Sequence, residues 1–218
     1  RGLGDVYKRQ EQVSIVICGR FCYTEKRYCT RNEGKPEHCG SGQDRNMSEI
    51  TVRPMMPEDW TAVSKIYLEG IATEHATFQT DCPPYAAWDA SHTKECRLVI
   101  LADGVLAGWA ALHRVDPRWC YRGVAEVSIY VGECFRGKGL GSQLLNALCA
   151  DAEKEGYWTL QSTVLQDNTA SRALHTKCGF RLVGRRERIA RDCHGRWLDT
   201  YLMERRARAD EPAGYKKL

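Results

Sequence analysis

The stretch Glu126–Ser142, EVSIYVGECFRGKGLGS, gathers more chemically capable residues than any other part of the chain. Glu126 opens a largely apolar strand, and a carboxylate placed there is suited to taking a proton from a reacting group. At the other end, Arg136-Gly137-Lys138-Gly139-Leu140-Gly141 runs directly into Ser142 and a helical pattern. The first turn of a helix leaves backbone N–H groups without intrahelical acceptors and carries the positive end of the helix dipole. Glycines let an anion approach that backbone, so the loop reads as a phosphate or pyrophosphate cradle. Arg136 and Lys138 add side-chain charge beside it. The alternative is an ordinary strand–turn–helix connection with a basic rim.

These residues must be positioned by the elements around them. Glu126, Ser128 and Tyr130 alternate with Val127, Ile129 and Val131, a period of two that predicts a strand. Leu144, Leu145 and Leu148 predict an amphipathic helix that ends near Glu155-Gly156. Upstream, Ile50–Arg53 reads as a short strand. A helix follows from Pro57-Glu58-Asp59, with Val63, Ile66, Tyr67 and Gly70 on one face. Residues 76–84 are irregular because of Pro83-Pro84, and a second helix is expected over Tyr85–Glu95. Arg97–Ala102 and Val105–His113 form strands around Asp103-Gly104, a tight-hairpin signal. Downstream come a strand over Thr159–Leu165 and a helix over Asn168–Lys177 closed by Gly179. A hairpin, Phe180–Arg191 and Trp197–Glu204, turns around His194-Gly195. Helices mixed with a largely antiparallel sheet give an α+β class.

The glycine loop excludes two common cofactor motifs. GxxxxGK[ST] is missing, and the dinucleotide pattern GxGxxG fails because Ser142 stands at its third glycine. The pattern Arg/Gln-x-x-Gly-x-Gly/Ala is matched in full by residues 136–141, and it resembles the pyrophosphate loop of the GNAT superfamily of N-acetyltransferases, which hold acetyl-coenzyme A. The run Asn168–Phe180, NTASRALHTKCGF, looks like the same family's second signature. The resemblance covers about residues 50–205 and is nearest the phosphinothricin and methionine sulfone N-acetyltransferases. It rests further on Ala76-Thr77-Phe78-Gln79-Thr80 and on Tyr121–Gly141.

The resemblance implies a GNAT fold: a mixed, mostly antiparallel twisted sheet flanked by helices. It implies direct acetyl transfer from acetyl-CoA to the primary amine of a small amino-acid-like acceptor, with no metal. A protein or peptide N-acetyltransferase and a non-catalytic CoA-binding protein are the alternatives. Glu126 is implied as the general base. His175, seven residues after Asn168, stands where many members carry a Tyr that protonates the leaving thiolate. Acetyl-CoA is implied to contact Ile129, Tyr130 and Val131, the loop Arg136, Gly137, Lys138, Gly139, Leu140, Gly141 and Ser142, and Asn168. A free N–H of Tyr130 or Val131 would polarise the thioester carbonyl on a strand splayed from Thr159–Leu165. Phe78, Arg118 and Tyr121, with Trp109, are the candidate acceptor contacts. Family members are commonly homodimers.

The chain has 218 residues, 43% of them hydrophobic, enough for one moderate domain with a core. Residues 1–46 hold nine Lys/Arg against six Asp/Glu, and residues 47–218 hold 23 against 22. The formal charge of +4 is therefore concentrated in the leader, and nothing suggests a nucleic-acid surface. No apolar run is long enough to span a membrane. We expect residues 1–46 to be a disordered or non-native leader, 47–206 the acetyltransferase domain and 207–218 a frayed tail. Cys18, Cys22, Cys29 and Cys39 have no paired CxxC spacing, so no zinc module is expected. The remaining cysteines, including Cys134, read as reduced in a cytoplasmic protein.

Overall fold

The computed structural model describes residues 49–207, so the expectations for residues 1–46 and for nearly all of 207–218 fall outside it. The elements are β1 (Ile50–Pro54), α1 (Trp60–Ala72), α2 (Tyr85–Ser91), β2 (Arg97–Ala102), β3 (Val105–Arg114), β4 (Val124–Val131), α3 (Leu140–Lys154), β5 (Thr159–Leu165), α4 (Thr169–Lys177), β6 (Arg181–Arg191) and β7 (Trp197–Arg206). Single 3₁₀ turns precede α1 and α3 and interrupt the β3–β4 loop. The expected α+β architecture is present. The strands form one sheet in the order β1-β2-β3-β4-β5-β7-β6, in which only β4 and β5 run parallel.

Strand alternation sorts the core into two layers. Ala110 and Leu112 of β3 and Ala125 and Val127 of β4 join Leu140, Leu144, Leu145 and Leu148 of α3 in the larger cluster. Trp109 and Ala111 face the other way and pack with Val63 and Ile66 of α1 and Trp88 of α2. Every second residue of a strand faces the same helix layer, and β4 is covered on both sides at Ala125–Val127. This is why Glu126 is only 8% exposed. Each leucine buried on α3 contributes about 1.5–3 kcal/mol relative to an exposed one.

The β2–β3 turn has the expected tight geometry, with Asp103 at φ 48° and Gly104 at φ 79°. The second helix is shorter than expected and stops at Ser91. His92 is extended, and the Thr93 N–H donates to the Leu112 carbonyl at 2.8 Å. The Arg97 guanidinium then donates to the Thr93, Asp89 and His92 carbonyls, offering that segment acceptors' partners that a helix would otherwise supply. Cys82, Cys96, Cys120, Cys149, Cys178 and Cys193 are free thiols. Cys134 is disulfide-bonded, a departure from the reduced reading.

Candidate active site

The parallel pairing of β4 with β5 covers only Val124↔Thr159, Ala125↔Leu160 and Glu126↔Gln161. Beyond Glu126 the two strands separate, while β5 stays paired to β7 along its whole length. The fork opens into a cleft of about 650 Å³. Its walls are Ile129–Val131 and the glycine loop on one side and the start of α4 on the other. The end of α1 closes it with Gly70, Thr73, His75 and Ala76.

The backbone of β4 has a definite polarity at this opening. Gly132 N–H donates to the Ala107 carbonyl at 2.9 Å, and the Tyr130 carbonyl points so closely at Gly108 that a Cβ there would lie 2.8 Å from it. N–H and C=O of one strand residue point the same way and alternate along the strand. Residues 130 and 132 therefore serve β3, and Ile129 and Val131 direct their groups into the fork. Of the two sequence candidates for a polarising N–H, Val131 has the right direction and Tyr130 does not. Arg136 Nε donates to the Val131 carbonyl at 3.1 Å, tying the loop to the strand edge.

Gly137 and Gly139 adopt φ of 76° and 80°, a left-handed conformation that glycine reaches without strain. Gly139 caps α3, and Ser142 N–H and Gln143 N–H both return to its carbonyl. The N–H groups of residues 137–141 have no acceptor among the described residues. Unpaired donors at a helix start, without a Cβ at either turn glycine, fit a pyrophosphate. Leu140 is wholly buried, so its contribution to the cleft is backbone. Lys138 is exposed and does not line the cleft. At Gly141 a Cβ would come 3.3 Å from Leu174, so this position sets how closely α3 approaches α4.

Asn168 lines the cleft, and its Oδ1 accepts from Ser171 N–H at 3.0 Å as the N-cap of α4. Its Nδ2 donates to the His75 carbonyl at 3.1 Å. His75, Thr73, Phe135, Asp167, Ser171 and Lys177 line the cleft without having been singled out from sequence. No local motif marks them, because they meet only when the end of α1 folds against α4.

Glu126 stands at the base of the fork, in the last β4–β5 pair, and neither it nor its partner Gln161 is among the residues lining the cleft. Gln161 Nε2 donates to its Oε2 at 3.1 Å, and His113 Nε2 lies 3.8 Å from the same oxygen. Burial lowers the pKa of His113, while the Glu126 carboxylate works in the opposite sense.

Other expected site residues sit elsewhere. His175 is 1% exposed, does not line the cleft and meets Phe180 edge-on at 4.9 Å. Its Nδ1 lies 2.8 Å from the Ser171 carbonyl, which can only accept, so Nδ1 carries the proton. Nε2 is buried with no partner among the described residues, and burial lowers the ring's pKa. In this setting His175 packs the underside of α4. Trp109 is likewise a core residue, 1% exposed. Arg118 and Tyr121 are together, with the guanidinium 4.7 Å from the ring centroid and paired to Asp116 at 2.8 Å. They lie in the β3–β4 loop, at the opposite end of β4 from the glycine loop, and neither lines the cleft. Phe78 is half-buried in the α1–α2 connection and is also outside the cleft lining.

Residues 59–180 match the acetyltransferase (GNAT) family. The chain belongs to the GNAT family. It is an acetyl-CoA-dependent N-acetyltransferase. It is 34% identical over 165 residues to a phosphinothricin N-acetyltransferase of Alcaligenes faecalis, a match covering 71% of this chain and 81% of that protein. It is 30% identical over 160 residues to an L-methionine sulfoximine/L-methionine sulfone acetyltransferase of Pseudomonas paraeruginosa, covering 71% and 92%. A GNAT superfamily phosphinothricin acetyltransferase from Sinorhizobium meliloti, solved in complex with AcCoA, superposes with a TM-score of 0.68 at 29% identity. That likeness covers 76% of this chain and 94% of the other. Among the described residues, no helix is long and apolar enough to cross a membrane, and no group of three or more His, Cys, Asp or Glu could hold a metal.

Proposed function

We propose that the GNAT cleft takes acetyl-CoA and passes its acetyl group to the primary amine of a small amino-acid-like acceptor of the phosphinothricin, methionine sulfone or methionine sulfoximine type. The observation that carries this reading is the fork, where β4 leaves β5 after the Glu126–Gln161 pair and runs as an open strand edge toward a glycine loop whose N–H groups are unpaired among the described residues. The names of the relatives supply the acceptor class.

In this reading the pyrophosphate rests on the N–H groups of residues 137–141, with Arg136 alongside. The pantetheine amides pair with Ile129 and Val131 as a further strand. The Val131 N–H is directed at the thioester carbonyl and stabilises the oxyanion that forms there. Glu126 removes a proton from the acceptor's ammonium, directly or through water, because only the free amine can attack the thioester. The amine nitrogen bonds to the acetyl carbon, the carbon–sulfur bond breaks with its electron pair going to sulfur, and the thiolate of coenzyme A takes the second proton that the nitrogen sheds on becoming an amide. Holding both reactants in one cleft supplies much of the rate.

A thiol-release assay with acetyl-CoA tests the reading across phosphinothricin, methionine sulfone, methionine sulfoximine, free amino acids and a peptide N-terminus. The three named amines should give the highest kcat/KM. A best response to the peptide would transfer the assignment to a peptide N-acetyltransferase. Glu126→Gln should bind acetyl-CoA as the parent does and lose roughly 10²–10⁴-fold in kcat. An unchanged rate would remove Glu126 as the base.

A further inference from the structure

His113 approaches the Glu126 carboxylate from outside the fork. The two residues face each other in the β3–β4 register, and their side chains share the sheet face covered by α1 and α2. His113 Nε2 lies 3.8 Å from Glu126 Oε2, and both side chains are nearly buried, at 14% and 10% exposure. From the other side, Gln161 Nε2 donates to that same Oε2 at 3.1 Å. Gln161 thus holds one carboxylate oxygen by a hydrogen bond, and the His113 ring stands against the same oxygen at 3.8 Å, a contact longer than a hydrogen bond. Oε1 has no hydrogen-bond partner among the described residues and is not sealed from solvent.

We propose that His113 is a positioning residue for Glu126, acting with Gln161 to hold Oε2 and leave Oε1 as the oxygen that takes the proton. The inference rests on Glu126 being the base. The imidazole is itself held in place, because its ring stands edge-on to His92 at 5.9 Å, and His92 stacks on Trp88 at 4.3 Å. A carboxylate with one oxygen pinned has less rotational freedom to lose when the ammonium arrives, which lowers the entropic part of the barrier. The titratable and charged groups facing the pair are His92 after α2, with Asp89 and Arg97 beyond it; Gln161 of β5 is neutral.

The test is a double-mutant cycle read by kcat, acetyl-CoA KM and the pH profile of kcat/KM. His113→Phe keeps a ring in the edge-on stack and removes the Nε2 contact. It should lower kcat by about tenfold with acetyl-CoA KM unchanged and move the acidic limb of the profile. His113→Gln, which retains a donor, should recover part of the loss. In the Glu126→Gln background His113→Phe should have no further effect, since a residue acting through Glu126 is silent once the base is gone. The same tenfold loss in both backgrounds would make His113 a structural residue and overturn the proposal. So would a parental kcat and pH profile for His113→Phe beside a defective Glu126→Gln. A fully active Glu126→Gln would instead remove the base assignment and this proposal with it. A variant that does not fold, seen by circular dichroism, passes the question to Gln161→Met, which removes the other donor and should show the same silence in the Glu126→Gln background; loss in both backgrounds there would overturn the shared clamp.

Discussion

Asn168 joins the α4 wall of the cleft to the segment after α1 that closes it by donating from Nδ2 to the His75 carbonyl at 3.1 Å, while its Oδ1 caps α4 through Ser171 N–H. The two oxygen and nitrogen roles can be separated. Asn168→Asp keeps the capping oxygen and loses the donor, so thermal stability should hold while acetyl-CoA KM rises. Asn168→Ala loses both and should cost about 1 kcal/mol of stability as well. Thermal melting and steady-state kinetics on the two variants check this, and an Asn168→Asp variant with the parent's acetyl-CoA KM would show that the His75 link is without consequence.

Gly139 sits at φ 80° with open space where a Cβ would project. Gly139→Ala therefore suffers backbone strain and not a clash, about 1–2 kcal/mol for a left-handed non-glycine residue. The added methyl also stands beside the unpaired N–H groups. Acetyl-CoA affinity, measured by calorimetry, should fall while secondary structure is retained. Affinity equal to the parent's would argue that the anion is held elsewhere.

Gly70 of α1 works through a neighbour. A Cβ there would lie 2.6 Å from Tyr130 Cδ1, and the Tyr130 ring is already confined by Trp109 at 4.8 Å and Tyr67 at 4.8 Å. Gly70→Ala should destabilise by about 1–3 kcal/mol, the usual cost of overpacking. Because Tyr130 lines the cleft, acetyl-CoA KM should rise too. A melting temperature unchanged from the parent's would show that the ring can yield freely.

Acid should destabilise the fold through its buried imidazoles. Burial depresses His92 to about 4, with the Trp88 carbonyl hydrogen bond opposing, and burial also lowers His113 and His175. For a depressed histidine the unfolded chain binds the proton first, so stability is complete above the unfolded value near 6.5 and is lost as pH falls toward 4. For His92 this amounts to at most about 3 kcal/mol. Melting curves between neutral pH and mildly acidic pH should show the loss, and His92→Phe, which keeps a ring on Trp88, should flatten it. A slope identical to the parent's would mean that His92 titrates alike in both states.

The sequence by itself determined the order of elements, the tight Asp103-Gly104 turn, the glycine loop and the cap at Asn168. These depend on residues within a few positions of one another: a period of two, a period near four, a glycine where φ must be positive. It also marked Glu126, since a carboxylate opening a largely apolar strand stands out locally. Only the tertiary structure decided what each residue meets. His175 has the sequence spacing of a cleft residue, yet the rotation of α4 against Phe180 turns its ring into the core. Arg118 and Tyr121 are near Glu126 in sequence but lie off the end of β4 away from the glycine loop. Val131 rather than Tyr130 faces the opening because the β3–β4 register fixes which backbone groups are already used. The fork itself follows from β5 pairing fully with β7 and only briefly with β4. That choice is made by β4 and β7, each at least 35 residues from its partner in β5, packing on opposite sides of that strand, and short-range sequence patterns hold no record of it.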